Sequence, residues 1–463
     1  MEKVVKDFIK ELGYSENKID IEHEKRVDTW LKWLGGKTKY HDYYTYNGKK
    51  KNKQTMKSLN IASQSCGDLA DFFFNEKLDI TIDKPDIDEK IKECLEQNDF
   101  LYSSNDLMQL VKALGTGAYI TYLDNGVLKI NYINATNIVI LDNDNKDVKS
   151  ILTWSKNETR KGTEIYINAH ILEDDGYIIY NRKYVRSTDS ESYTKIDLGD
   201  TEKIETHSYL PKFAVIKTPE VNNLELNSPY GISCYANATD SILAVDSAFD
   251  SLDNEIWIGR KRVYVKGGAT KFNVDEEGNA TPIFDASDVA YYQIPGDEKD
   301  PMITESSFNL RIEELTQALQ GQLNIYTAKV GLGHNYYKFK DGEAYVNTSN
   351  VISANSDVYR KIKKQENIIT SAIKQLIYGI AELIGISEEF SISIFYDDSI
   401  IEDTESIRKQ AQTEYNSGLI SKAQYYRDVY KLGDDEAIEF AKQMNEEIKE
   451  ETITNGEEPS FVE

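Results

Sequence analysis

The feature that most restricts how this chain can fold is an apolar repeat in its last third. Val358, Ile362, Ile369, Ile373, Leu376, Ile380 and Leu383 recur in helical step through "ISANSDVYRKIKKQENIITSAIKQLIYGIAELIG". About thirty helical residues is long for a globular protein. The first half of the repeat carries Arg360, Lys361, Lys363 and Lys364, whereas the second half is apolar nearly all round. A helix of that kind is buried by neighbours on every side. Lys374 and Glu382 interrupt the apolar run, so it reads as a core helix and not as a membrane span.

The remainder of the chain offers the covering layers. The first 120 residues read mostly helical, from the amphipathic opening (Val4, Val5, Phe8, Ile9, Leu12) through "KRVDTWLKWLGG", a Tyr/Lys loop, and a stripe of Ile61, Leu69, Phe72 and Phe73. A helix is expected to stop at Gly115. From Ala118 to Thr218 the pattern changes to alternation broken by Asp-Asn-Gly and Asn-Asp turns, which reads as strands. A single helix is expected from Ser228 and Pro229 to about Arg262, with Tyr235, Ile242, Leu243, Phe249, Leu252 and Ile256 in step. A small strand-rich insert follows, then a helix with Leu315, Leu319, Leu323 and Tyr326 on one side. After the long helix come the strand "FSISIFYDDS" and three short helices, two of them marked by Gly418 with Ser421 and by Gly433 with Asp434 and Asp435. The fold class is α+β.

Between the two long helical patterns lies "VGLGHNYYKFKDGEAYVNTSN", Val330–Asn350, aromatic and basic. A connection of this length in a compact domain is usually functional or disordered. Its chemistry contrasts with the whole, for 79 acidic residues face 54 basic ones and the net charge is −25. Free nucleic-acid binders gain affinity by neutralising phosphates, so the chain as a whole is expected to repel DNA. Residues 402–463 hold 16 acidic and 7 basic side chains, net −9. Thr45 to Asn60 is the opposite, with Lys49, Lys50, Lys51, Lys53, Lys57 and no acid, and reads as a solvated loop ahead of a dedicated binding site.

Catalytic patterns are missing. His23, His41, His170, His207 and His334 have no ligand spacing, and Cys66, Cys94 and Cys234 form neither a disulfide framework nor a metal motif. The cysteines and the lack of a secretion-signal layout point to a reducing, intracellular setting. "DNDNKD" puts Lys146, Asp147 and Thr153 at calcium-loop positions that demand other residues. "GLGHNY" and "GTGAYI" lack the third glycine of a dinucleotide site, and no phosphate-binding loop, nucleophile elbow or zinc-protease motif occurs. Asp397 and Asp398 read as a strand-end turn rather than a metal-dependent acid pair. Neither catalytic residue, metal nor cofactor is expected.

Several segments, in order, resemble the portal proteins of tailed bacteriophages. They are "TWLKWLGG" with "SLNIASQSCGDLADFFFNEKLDI", then "GTGAYITYLDNGVLKINYINATNI", "SPYGISCYANATDSILAVDSAFDSLDNEIWIGRKRVYV", "NLRIEELTQAL" and "YVNTSNVISANSDVYRKIKKQENIITSAI". The resemblance runs from about Trp30 to Glu450. Asn350 departs from it, where an acid is common, and no role is carried to that position.

The resemblance implies a portal-type fold in a ring-forming subunit. Residues 1–235 would be the amino-terminal wing, 236–262 stem helix one, 263–305 the clip and 306–330 stem helix two. Residues 331–350 would be the tunnel loop, 351–400 the rest of the wing, 401–450 the crown and 451–463 an acidic tail. About twelve copies would form a channel at one capsid vertex for packaging and ejecting double-stranded DNA. The implied partners are the terminase packaging motor, the head-completion or tail adaptor protein, and the capsid and scaffolding proteins, with no membrane. The implied location is the virion, after assembly in the bacterial host cytoplasm. In the tunnel loop Lys338 and Lys340 would give weak phosphate contacts, Tyr336, Tyr337 and Phe339 would form a gasket between neighbouring loops, and His334 would lie beside them; the alternative is that the aromatics fold back on their own subunit and the lysines pair with nearby acids. Glu313 and Glu314 would line the stem, and Lys266, Lys271, Phe272, Tyr291 and Tyr292 would dock partners at the clip. The competing expectation is an acidic protein-binding adaptor in a phage or tail-like particle, without DNA contact.

Overall fold

The structure is a computed structural model that describes residues 2–15, 20–46, 51–76, 78–145, 147–160, 162–188, 192–259, 262–266, 272–274, 280–282, 291–294, 303–306, 309–338, 356–396, 411–417 and 419–430. Helix α1 (Lys3–Glu11) is followed by α2 (Ile21–Leu34), whose start is capped by Asp20 accepting from the His23 amide at 2.7 Å. Strands β1 (Asp42–Tyr46) and β2 (Lys51–Thr55) pair antiparallel, Asp42 opposite Thr55. The lysine-rich stretch expected as a loop is therefore partly a hairpin, exposed along all of β2. Next come α3 (Ile61–Asp71), β3 (Asp79–Ile82), α4 (Pro85–Glu96) and α5 (Phe100–Leu114). Helix α5 ends as expected at Gly115, which takes φ +90° as its left-handed cap.

Strands then follow without interruption. β4 (Thr116–Asp124) turns into β5 (Val127–Asn134) through Asn125 and Gly126, both at positive φ, the backbone such a tight hairpin demands. β6 (Ile138–Asp144), β7 (Asp147–Thr159), β8 (Gly162–Glu173) and β9 (Gly176–Ser187) form an antiparallel meander, closed by β10 (Thr194–Ile196) and β11 (Lys203–Glu205), both on β9. β12 (Phe213–Lys217) joins β4, giving the order β12-β4-β5. Alternation along β6 feeds two cores. Val139 and Leu141 pack with Val5, Phe8 and Ile9 of α1 on one face of the meander. Ile138 and Ile140 pack with Ala118, Ile120 and Phe213 on the other.

Helix α6 (Thr239–Ile258) begins later than its sequence suggests. Residues 228–233 are irregular and 234–238 form turns, because their backbone groups serve the α5–β4 junction: the Cys234 amide donates to the Lys112 carbonyl at 2.9 Å and the Gly231 amide to Thr116 Oγ1 at 3.0 Å. Strands β13 (Arg262–Lys266), β14 (Phe272–Val274), β15 (Ala280–Pro282), β16 (Tyr291–Ile294) and β17 (Ile303–Ser306) make up the insert, with β13 between parallel β16 and antiparallel β17. α7 (Ile312–Val330) returns along α6.

The long apolar repeat is α8 (Ser356–Leu383), and β18 (Ile392–Phe395) then pairs with β3. Ile369, Ile373, Ile377 and Ile380 of α8 are fully buried in the largest core, where the helix packs on β12 and β4. A helical turn at 411–416 precedes α9 (Lys422–Tyr430), whose start Ser421 caps by accepting from the Gln424 amide at 3.1 Å. The third of the expected short helices, with Gly433, Asp434 and Asp435, lies outside the described residues, as do Asp397 and Asp398.

Candidate functional site

Three pieces of this fold concentrate the polar chemistry of the long helices: the junction between α6 and α7, the start of the loop after α7, and the anchorage of the lysine hairpin on α6. At the junction, Glu255 and Arg311 clasp each other. Arg311 donates from Nε at 3.1 Å and from Nη2 at 2.7 Å to the two carboxylate oxygens, and its own amide adds a third bond at 3.2 Å. This planar fork fixes direction as well as distance. It lowers the carboxyl pKa of Glu255, chiefly through the hydrogen bonds from Arg311. The clasp draws the end of α6 to the start of α7, so the insert leaves and re-enters the body at one place. Glu313 and Glu314 are exposed in the first turn of α7, where negative charge favours the helix dipole.

Of the residues expected to dock partners in the insert, Lys266 ends β13, Phe272 opens β14, and Tyr291 and Tyr292 open β16 opposite Val263 and Tyr264. Lys271 lies outside the described residues, as do Phe339 and Lys340 of the loop.

The loop begins with Gly331 at φ +94°, capping α7 in the left-handed conformation. His334 is exposed and Lys338 half-buried. Tyr336 and Tyr337 go the other way: they are 4 % and 2 % exposed and belong to the subunit's largest core. Their rings meet edge to face at 4.9 Å, and the Tyr337 hydroxyl donates to Asp68 Oδ2 of α3 at 2.6 Å. Of the two expectations for these tyrosines, the inward fold is the one seen within the subunit, where they act as an anchor. Asp68 has its carboxyl pKa raised by burial, partly opposed by the bond from Tyr337. Tyr337→Phe leaves that half-buried carboxylate without its donor. It is expected to cost about 1–3 kcal/mol in urea unfolding, and to speed proteolysis at the loop.

The third piece was not among the sequence expectations. Asp246 is completely buried in the middle of α6 and accepts from His41 Nε2 at 2.8 Å, Ser58 Oγ at 3.0 Å and the Leu59 amide at 2.8 Å. Thr38 Oγ1 stands 2.8 Å from the other ring nitrogen of His41. One and two turns further along α6, Asp250 takes the Lys57 amide at 3.0 Å and Asp253 its ammonium at 2.6 Å. The available clue was phase: Asp246 lies four residues after Ile242 and three before Phe249, on the stripe that should be apolar.

No group of three or more His, Cys, Asp or Glu side chains that could hold a metal occurs among the described residues, and none of their helices is long and apolar enough to cross a membrane. The described residues thus combine long helices, a β module between α6 and α7, and loops anchored on the helices. The chain belongs to the phage portal protein family described as SPP1 Gp6-like, whose profile matches residues 16–454. Portal proteins of this family are structural components of the virion and not enzymes. Among solved structures, a chain in the "Neck of native GTA particle computed with C12 symmetry" aligns at TM-score 0.37 and 9% identity, over 79% of this chain and 87% of that one. No curated protein sequence matches the chain significantly.

Proposed function

We propose that this protein forms a ring of about twelve subunits at one capsid vertex, through which double-stranded DNA is packaged and ejected. The observation that supports this reading most is the antiparallel α6/α7 pair, clasped at one end by Glu255 and Arg311 around the β module, in a chain of the portal family. On this reading the pair is the stem and Glu313 and Glu314 face the channel. The module of β13–β17 is the clip that meets the packaging motor and later the tail adaptor, and α9 belongs to the crown. An acidic wall repels a polyanion, whereas a ring of lysines gives weak, salt-sensitive and sequence-independent phosphate contacts. Lys338, held near the wall by its buried tyrosine neighbours, and Lys340 supply those contacts.

Negative-stain microscopy with mass photometry tests the ring, and Lys338→Glu/Lys340→Glu tests the loop. Rings of normal mass with packaging reduced at least tenfold are expected from the double variant. Rings that package normally would favour the acidic adaptor without DNA contact. A wild-type protein that stays monomeric at high concentration and high salt, where repulsion between acidic subunits is screened, would overturn the ring.

A further inference from the structure

Two features on either flank of α2 fit one another and have no occupant among the described residues. The first is a groove of about 410 Å³ between α2 and the Ala135–Val139 segment, with Ile21 and Leu31 on its rim at 56 % and 43 % exposure. His23 lines it, stacked on Tyr230 at 3.9 Å and only 4 % exposed, and its buried Nε2 has no hydrogen-bond partner. Burial holds this imidazole neutral, with its pKa lowered to about 4. The second feature is the loop at 221–227, which holds Val221, Leu224 and Leu226 in water at 61 %, 46 % and 77 % exposure.

That loop is braced and not slack. Asn222 Oδ1 accepts from the Leu224 and Glu225 amides at 3.2 and 2.9 Å, and the Ser228 amide returns to the Glu225 carbonyl at 3.1 Å. Glu225 is ion-paired to Arg26 of α2. By helical phase Arg26 lies about 150° round from Glu24 and Leu31, which face the groove. Donor and acceptor surfaces on opposite flanks of one helix are what a head-to-tail contact requires, and such contacts close into rings.

We infer that the loop at 221–227 of one subunit docks into the α2 groove of the next copy, Leu226 entering beside Leu31 and Ile21. The inference rests on the ring reading above. A pre-organised apolar loop loses little entropy on docking. The neighbouring Asn227 amide carries both a donor and an acceptor, so it can satisfy His23 Nε2 in either tautomer. Charge does not oppose the contact, because Glu225 and Asp20 share Arg26, and Asp28 is paired with Lys32 at 2.6 Å.

The test uses Leu226→Asp and Leu31→Asp, both at exposed positions that the isolated subunit tolerates, with thermal melts as the check on folding. Each variant alone is expected to lose wild-type rings and remain folded. Mixed one to one, each retains the half that the other lacks, so mass photometry is expected to show dimers and nothing larger. Leu226→Cys/Leu31→Cys subunits are expected to give a covalent ladder under mild oxidation, and neither single variant should. Rings from either aspartate variant, or the absence of both dimers and ladder while the wild type forms rings, would overturn the inference and leave the portal reading standing. A wild type that never forms rings would overturn both.

Discussion

Asp246→Ala is expected to lower subunit stability by about 3–5 kcal/mol, the usual cost of breaking a buried, fully hydrogen-bonded charge cluster. The carboxylate takes three bonds in a site with no water exposure, and its loss removes the acceptor from His41 Nε2, the Ser58 hydroxyl and the Leu59 amide together. Urea unfolding measures the loss. Limited proteolysis reads its location, because residues 38–59, which carry the β1–β2 hairpin, should become the first cleavage site. Asp246→Asn keeps one carbonyl acceptor and should fall well short of the alanine effect. An alanine variant within 1 kcal/mol of wild type would show that the hairpin is held by Asp250 and Asp253 instead.

Gly231→Ala should be at least as damaging, about 3 kcal/mol or more. A Cβ there would stand 2.1 Å from the Gly115 carbonyl oxygen and 2.8 Å from Thr218 Oγ1. Neither neighbour can give way. Gly115 is the left-handed cap of α5, and its carbonyl accepts the Thr218 amide at 3.1 Å. The control is Gly321→Ala in α7, where a Cβ meets nothing within 4 Å. That change should stabilise the chain by roughly 0.5–1 kcal/mol through helix propensity. Equal melting temperatures for the two variants would refute the close approach of the two glycines.

The same pair of glycines explains where the sequence could be read and where it could not. Gly115 acts locally, ending a helix by its own φ, and that stop was legible. Gly231 acts on a residue 116 positions away, so the segment from Ser228 kept its helical spacing on paper while its amides were committed to α5. The long repeat of α8 was legible because burial on all sides needs only composition and period. Tyr336 and Tyr337 were not, since a loop of aromatic and basic residues looks the same whether its rings turn inward or outward, and the decision lies with Asp68 in α3. The hairpin of β1 and β2 was hidden by residues of poor strand propensity, Lys, Asn and Gln, whose pairing is settled by tethers to α6 at Ser58 and Leu59. In each miss the deciding partner is distant in sequence.

The clasp between Glu255 and Arg311 also bears on how such a chain can diversify. Because the polypeptide departs and returns at a single pinned point, the ends of the β13–β17 segment are held together. Lengthening a loop whose ends are already together costs little, about 0.6 kcal/mol per doubling. On the reading proposed above, the segment is therefore exchangeable as a cassette, and whatever engages it can change while the helical frame stays under its own separate selection.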